Sequence, residues 1–274
     1  MENMKTWNVA RIKASKGVCK LPCLTAYDYA CARLADAAGI PLLLVGDSVG
    51  MTLLGYSSTL PVTMDQMVHH TAAVARGATE ALVVADMPFL SYQISVAEGL
   101  RNAGRFLQEA GADAVKIEGG ALRVELVKAL TQNGIPVLGH IGLTPQSVNV
   151  LGGYKVQGKT REAGEQLVSE ARALDAAGAF AIVLECVPPD IGAAVTAAVA
   201  VPVISVGAGP DCDGQMLVMH DLLGLTEHTP KFAKPYAALA ETMRAAFRAY
   251  AADVQNGTFP GPEHCYAPSE AAKL

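Results

Sequence analysis

At 274 residues the chain is longer than a typical single domain and close to the length that one eight-fold α/β barrel requires. Hydrophobic residues make up 51% and charged residues 17%, a balance that suits a parallel sheet buried on both faces, with any apolar surplus covered between subunits. The net charge of -5, with basic residues scattered singly, leaves no stripe able to neutralise a row of phosphates and excludes nucleic acid as an expected partner.

The N-terminal stretch MENMKTWNVARIKASKG carries Lys5, Arg11, Lys13 and Lys16 but no continuous apolar core and no small-residue cleavage site. Residues 1–20 therefore read as a segment preceding the first strand, with a helix closing the barrel floor. Short apolar runs flanked by Gly or Pro follow at 21–27, 41–47, 81–88, 113–120, 135–142, 180–188 and 201–209, and they have the pattern of buried strands rather than alternating ones. Between them lie helix signals: Thr63 with Gln66 and Ser95 with Glu98 have capping-box spacing, and Gly39, Gly111, Gly134 and Gly178 stand at helix ends. An eighth strand is expected near LLGLT (222–226) and a last helix from about Pro235 to Val254. The expectation is a single (β/α)₈ TIM-type barrel spanning 1–274. A doubly wound sheet is the alternative, but Gly207 to Gly209 lack the third glycine of a dinucleotide fingerprint and no phosphate-loop motif occurs. The longest apolar stretch, Ala193 to Ile204, is broken by Thr196 and Pro202 and falls short of the ~20 residues that cross a bilayer, so no membrane segment is expected. The six cysteines lack C-x-x-C spacing, which points to a reducing cytoplasm without a zinc or disulfide framework. The Gly-rich stretch 149–162 reads either as a mobile cover for a site or as an ordinary surface connection.

Barrel chemistry collects beyond the C-terminal ends of the strands. The polar residues there are Asp47 and Ser48, Asp86, Lys116 and Glu118, His140, and Glu185. Asp47, Asp86 and Glu118 crowded at one mouth would repel one another, and oxygen ligands without paired His or Cys favour a hard cation such as Mg²⁺. Each carboxylate taken alone reads equally as a helix cap or a loop acceptor. Lys116 shares a strand face with Glu118 and can hold a substrate carboxylate, form a Schiff base, or pair internally with Glu118. His140 can donate to a carboxylate or carbonyl, or simply fix a loop. Glu185 lies among Leu184, Val187 and Pro188, a dry setting that reads either as that of a proton-accepting base or as that of a partly buried salt bridge. His69 and His70 read as structural, and Cys186 as a packed thiol.

The segments TAYDYA (25–30), LLVGDSVGMTLLGYSSTLPVTMDQMVHHTAAVARG (43–77), ADMPF (85–89), VKIEGG (115–120), GHIGLTPQSVNVLGGYKVQGKT (139–160), LECVP (184–188), TPKFAK (229–234) and GTFPGPEH (257–264) resemble the ketopantoate hydroxymethyltransferase family. The resemblance runs from about Leu21 to His264 and departs from the family pattern at 224–234, where a Gly-Gly pair is common, and in the first ~20 residues. It implies transfer of a hydroxymethyl group from 5,10-methylenetetrahydrofolate to 3-methyl-2-oxobutanoate, giving 2-dehydropantoate at the first committed step of pantothenate synthesis, through a Mg-stabilised enolate. It further implies Mg²⁺ on Asp47 and Asp86 with Glu118 nearby, the oxo acid held also by Ser48 and Lys116, Glu185 as proton acceptor, His140 beside it, and a homodecamer. The rival readings are a Schiff-base aldolase built on Lys116 and a metabolite-binding barrel without turnover.

Overall fold

The protein is described here by a computed structural model covering residues 5–267. These residues form two compact units, one of residues 5–219 with 231–233 and one of residues 220–230 with 234–267.

The larger unit is a closed barrel of eight parallel strands in sequence order, the last hydrogen-bonded to the first. The strands are β1 (Leu21–Thr25), β2 (Leu42–Val45), β3 (Leu82–Asp86), β4 (Ala114–Glu118), β5 (Val137–Gly142), β6 (Ala181–Glu185), β7 (Val203–Val206) and β8 (Gly214–Leu217). Strands β2, β3 and β4 are buried at every position, as expected of a sheet with helices outside and packed side chains within. The outer helices start and stop where local chemistry directs. Thr63 and Gln66 make a full reciprocal capping box on the helix Met64–Gly77, whereas Ser95 accepts from the Glu98 amide at 3.2 Å on the helix Val96–Gln108. Gly99, Ala103 and Phe106 recur at helical spacing and form the buried stripe of that second helix. Gly39, Gly111, Gly134 and Gly178 all have positive φ just beyond helix ends.

The seven strands expected up to residue 209 are present, but the eighth is not at 222–226. It is the four-residue segment Gly214–Leu217, while Leu222 and Leu223 end the short helix Met219–Leu223 and Gly224 follows at φ 68°. The sequence masks β8 because Gln215 points outward in a run of only four residues. Gly214 is required at its start, where a Cβ would lie 2.7 Å from the Leu21 carbonyl oxygen.

The N-terminal end of the barrel is closed by the helix Val9–Ala14, whose Ile12 is fully buried against Leu21, Leu42, Leu82, Ala114 and Ala181, with Trp7 and Val9 packed at the edge. Burying a side chain of that size contributes roughly 1.5–3 kcal/mol. Asp213 fastens this end across the first and last strands. Its Oδ2 accepts from Lys16 Nζ at 2.8 Å and from the Val203 amide at 2.9 Å, and its Oδ1 accepts from the Gly17 amide at 3.2 Å.

In the smaller unit the helix Leu239–Asn256 begins a little after the expected Pro235 and ends at Gly257, φ 69°. Within it the Tyr236 amide donates to the Leu222 carbonyl at 2.8 Å, and the Tyr250 and Phe259 rings meet edge-on at 5.8 Å. Among the described residues no helix is long and apolar enough to cross a membrane.

Candidate active site

Strand register brings the chemistry together. In a parallel pair, residues in register present their side chains to the same face. Asp86 pairs with Lys116 across β3 and β4, and Glu118 pairs with His140 across β4 and β5. Lys116 Nζ accordingly donates to Asp86 Oδ1 at 2.7 Å and lies 3.7 Å from Glu118 Oε1. His140 Nδ1 stands 3.5 Å from that same Glu118 oxygen, and its Nε2 stands 3.3 Å from Glu185 Oε2. These two His140 contacts are ion-pair approaches outside hydrogen-bond geometry. Glu185 pairs in register with Gly142 on β5 and with Val206 on β7. A Cβ on Gly142 would sit 2.3 Å from the Glu185 carbonyl oxygen, so only glycine lets the two strand ends approach this closely.

Asp47 and Ser48 follow β2, where the Asp47 amide donates to Asp86 Oδ2 at 3.3 Å. All seven residues expected at the mouth therefore gather at one barrel end, on the ends of β2 to β6. Asp47, Asp86, Lys116, Glu118 and His140 are each less than 5% exposed, whereas the Glu185 side chain keeps 16% of its surface open. The surroundings of Glu185 differ from the wholly apolar setting inferred from its neighbours in sequence, because the His140 ring faces its carboxylate.

The charges set one another. Burial opposes protonation of Lys116, but the Asp86, Glu118 and Asp47 carboxylates outweigh it and hold the side chain as an ammonium. Burial would raise Glu118, yet Lys116 and His140 keep it below the usual range. Burial and the Lys116 charge likewise oppose a proton on His140, and the Glu118 and Glu185 carboxylates prevail, raising it to about 9. Asp47 is pushed well above the usual carboxylate range by burial and then by the charges of Asp86 and Glu118, a crowding of like charge that a cation would relieve.

Among the described residues no three His, Cys, Asp or Glu side chains are gathered closely enough to hold a metal by themselves. Mg²⁺ commonly takes only one or two carboxylates and completes its shell with water or substrate oxygens. The adjoining pair Asp47 and Asp86, whose carboxyls burial and mutual charge push upward, fits that donor set.

Three residues complete the site that strand-end reasoning passed over. Gln146, in the turn Pro145–Ser147, touches both Asp47 and Glu118. Tyr92 donates to Gln146 Oε1 at 2.8 Å, and Tyr27 shares a 2.8 Å hydrogen bond with Ser48 Oγ. All three are uncharged, and Tyr92 and Gln146 lie in loops, so neither charge nor periodicity marks them out.

The stretch 149–162 contains the helix end at Leu151, a loop, and the start of the helix Arg161–Ala176. The Gln157 amide ties it to the Cys186 carbonyl at 2.8 Å. Tyr154 on this loop places its hydroxyl 3.5 Å from Met51 Sδ, and its phenol is raised by burial and then by the Asp47, Glu185 and Glu118 charges. His70 Nδ1 makes a 2.8 Å hydrogen bond with the Tyr27 carbonyl. Cys186 is a half-buried thiol at φ 48°, raised by burial and the Glu185 charge to about 11.

A family model described as ketopantoate hydroxymethyltransferase matches residues 6–262. A 3-methyl-2-oxobutanoate hydroxymethyltransferase of Syntrophus aciditrophicus (strain SB) is 56% identical over 262 residues, covering 95% of this chain and 96% of its own. Another of the same name from Syntrophobacter fumaroxidans (strain DSM 10017 / MPOB) is 56% identical over 277 residues, covering 100% and 98%. Among solved structures, a phosphoenolpyruvate phosphomutase from Streptomyces platensis subsp. rosaceus superposes with a TM-score of 0.61 at 15% identity, covering 95% of this chain and 92% of that one, a likeness of fold.

Proposed function

We propose that this chain, which belongs to the ketopantoate hydroxymethyltransferase family, transfers a hydroxymethyl group from 5,10-methylenetetrahydrofolate to 3-methyl-2-oxobutanoate to give 2-dehydropantoate. In that reaction the C3–H bond of the oxo acid breaks and a C3–CH₂ bond forms, water supplies the hydroxyl, and tetrahydrofolate leaves. The observation that carries the reading is the buried chain Asp86, Lys116, Glu118, His140 and Glu185, five ionisable groups each within 3.7 Å of the next at the mouth of one barrel.

Asp47 and Asp86 would hold Mg²⁺, with Glu118 beside them. Bound there, the cation supplies Lewis-acid polarisation of the oxo acid's oxygens. The Lys116 ammonium, fixed by Asp86 at 2.7 Å, holds the substrate carboxylate, and Ser48, oriented by the Tyr27 hydroxyl, donates a further hydrogen bond. Glu185 is the proton acceptor at C3. Its carboxylate is partly open to the mouth and anchored from behind by His140, the arrangement of a positioned general base. His140, carrying its own proton between Glu118 and Glu185, keeps the base oriented. A protonated Lys116 is a poor nucleophile, which weighs against a Schiff base.

The setting proposed is a reducing cytoplasm, in keeping with six cysteines that are all free. Apolar side chains left at the surface, such as Leu122 at 86% and Val150 at 91% exposure, favour assembly of several copies, and the family resemblance suggests ten.

The test is proton exchange at C3 of 3-methyl-2-oxobutanoate in deuterated buffer, followed by NMR with and without Mg²⁺, alongside hydroxymethyl transfer from the folate donor. Mg²⁺-dependent exchange and transfer are expected. Oxo acid binding without either would instead support a binding protein.

A further inference from the structure

Gln146 is 5% exposed, and every bonding position of its side-chain amide is filled. Nε2 donates to the Met87 carbonyl at 2.8 Å and to Asp47 Oδ2 at 3.0 Å. Oε1 accepts from the Tyr92 hydroxyl at 2.8 Å and from Gln93 Nε2 at 3.0 Å. The backbone N–H of Gln146 donates to Glu118 Oε2 at 3.0 Å. The orientation of the amide is dictated by these partners. A backbone carbonyl can only accept, so the nitrogen must face Met87. The Tyr92 oxygen accepts from the Glu118 amide at 3.1 Å, and of the two acceptors within reach of its proton Gln146 Oε1 at 2.8 Å is nearer than the Glu118 carbonyl at 3.3 Å.

One residue outside the strands thus grips one oxygen on each of two carboxylates. Asp47 is held by Oδ2, and among the described residues nothing hydrogen-bonds to its Oδ1. Glu118 is held by Oε2, and its Oε1 is the oxygen facing Lys116 and His140. A carboxylate on a loop without such a partner would sample several rotamers and lose much of its value as a ligand.

We propose that Gln146, itself fixed by Tyr92, is a positioning residue for the cation site: it holds Asp47 by Oδ2 and leaves Oδ1 as the ligating oxygen. This inference rests on the reading of Asp47 and Asp86 as the ligand pair. It assigns Gln146 no contact with the oxo acid. Substitution should therefore act on metal affinity first.

The experiment is titration of the full-length protein with Mn²⁺, a paramagnetic stand-in for Mg²⁺, with free ion read by electron paramagnetic resonance. Wild type, Gln146→Met, Tyr92→Phe and Asp86→Asn are compared, and circular dichroism checks the fold of each. Removing hydrogen-bond partners of metal ligands typically weakens binding about 10- to 100-fold, and Gln146→Met is expected in that range. Tyr92→Phe leaves the glutamine in place but unfastens it and should weaken binding by a smaller factor. If Gln146→Met fails to fold, Tyr92→Phe decides. A folded variant that loses thermal stability yet binds Mn²⁺ as wild type does would give Gln146 a purely structural role and overturn the inference. Should wild type itself bind no Mn²⁺, the ligand pair is wrong. Should wild type and Gln146→Met bind alike while Asp86→Asn does not, the ligand pair survives and only the role of Gln146 falls.

Discussion

His140 offers a prediction whose size follows from its surroundings. It is buried between Glu118 and Glu185 and raised from 6.5 to about 9. A histidine whose folded pKa lies above its unfolded one takes up protons on folding. The stability it contributes is fully present below pH 6.5 and is lost as pH rises through about 9. At roughly 1.36 kcal/mol per pH unit, the interval corresponds to about 3 kcal/mol. Replacing His140 by Gln removes the titration while keeping a polar side chain of similar reach. Equilibrium urea denaturation of the metal-free wild type and of His140→Gln, run at about pH 6 and about pH 9.5, isolates the effect, because most other titrations are common to both proteins. The stability advantage of wild type over the variant should shrink by about 3 kcal/mol between the two conditions. An advantage that stays constant across this range would mean that folding leaves the proton affinity of His140 unchanged, and the orienting role given to its proton would fail.

Three further outcomes are expected. Glu185→Gln should bind Mg²⁺ and the oxo acid nearly as wild type does while losing roughly 10² to 10⁴ in both C3 exchange and transfer. Transfer lost with exchange intact, seen by NMR, would move Glu185 to handling the folate donor. Asp86→Asn should weaken Mg²⁺ binding measured by calorimetry and lower activity with the fold retained; full activity in chelator-treated wild type would remove the metal from the reaction. Lys116→Arg should keep part of the activity, since a positive charge remains to hold the substrate carboxylate, and a borohydride-trapped adduct at Lys116 in mass spectra of wild type would refute that role.

Most of the barrel is legible in the sequence because a strand buried on both faces must be apolar almost throughout, and seven such runs stand between glycines and prolines. The missed strand is the informative one. Gly214–Leu217 carries an outward glutamine and is positioned by hydrogen bonds to its neighbours, so it has no apolar signature of its own. The charged members of the site were visible for the complementary reason: Asp86, Glu118 and Glu185 each end an apolar run, where a charge has no reason to be unless it is used or paired. Gln146, Tyr92 and Tyr27 were not visible, because their importance lies in which partners they meet. Strand register decides that Lys116 meets Asp86 and that Glu118 meets His140, and register emerges only when the sheet closes.

The clasp at Asp213 bears on how such a protein comes to be active at all. It joins Lys16 to a residue 197 positions later, and β1 cannot find β8 until both have been synthesised. Contacts of such long range form late in folding. Before then the cluster of ionisable groups on β2 to β6 would stand in water, each with its ordinary affinity for protons and none with a fixed partner. Turnover in a refolding experiment should therefore arise with ring closure, abruptly and in full, and chains cleaved between β1 and β8 should fall silent together with their tertiary structure.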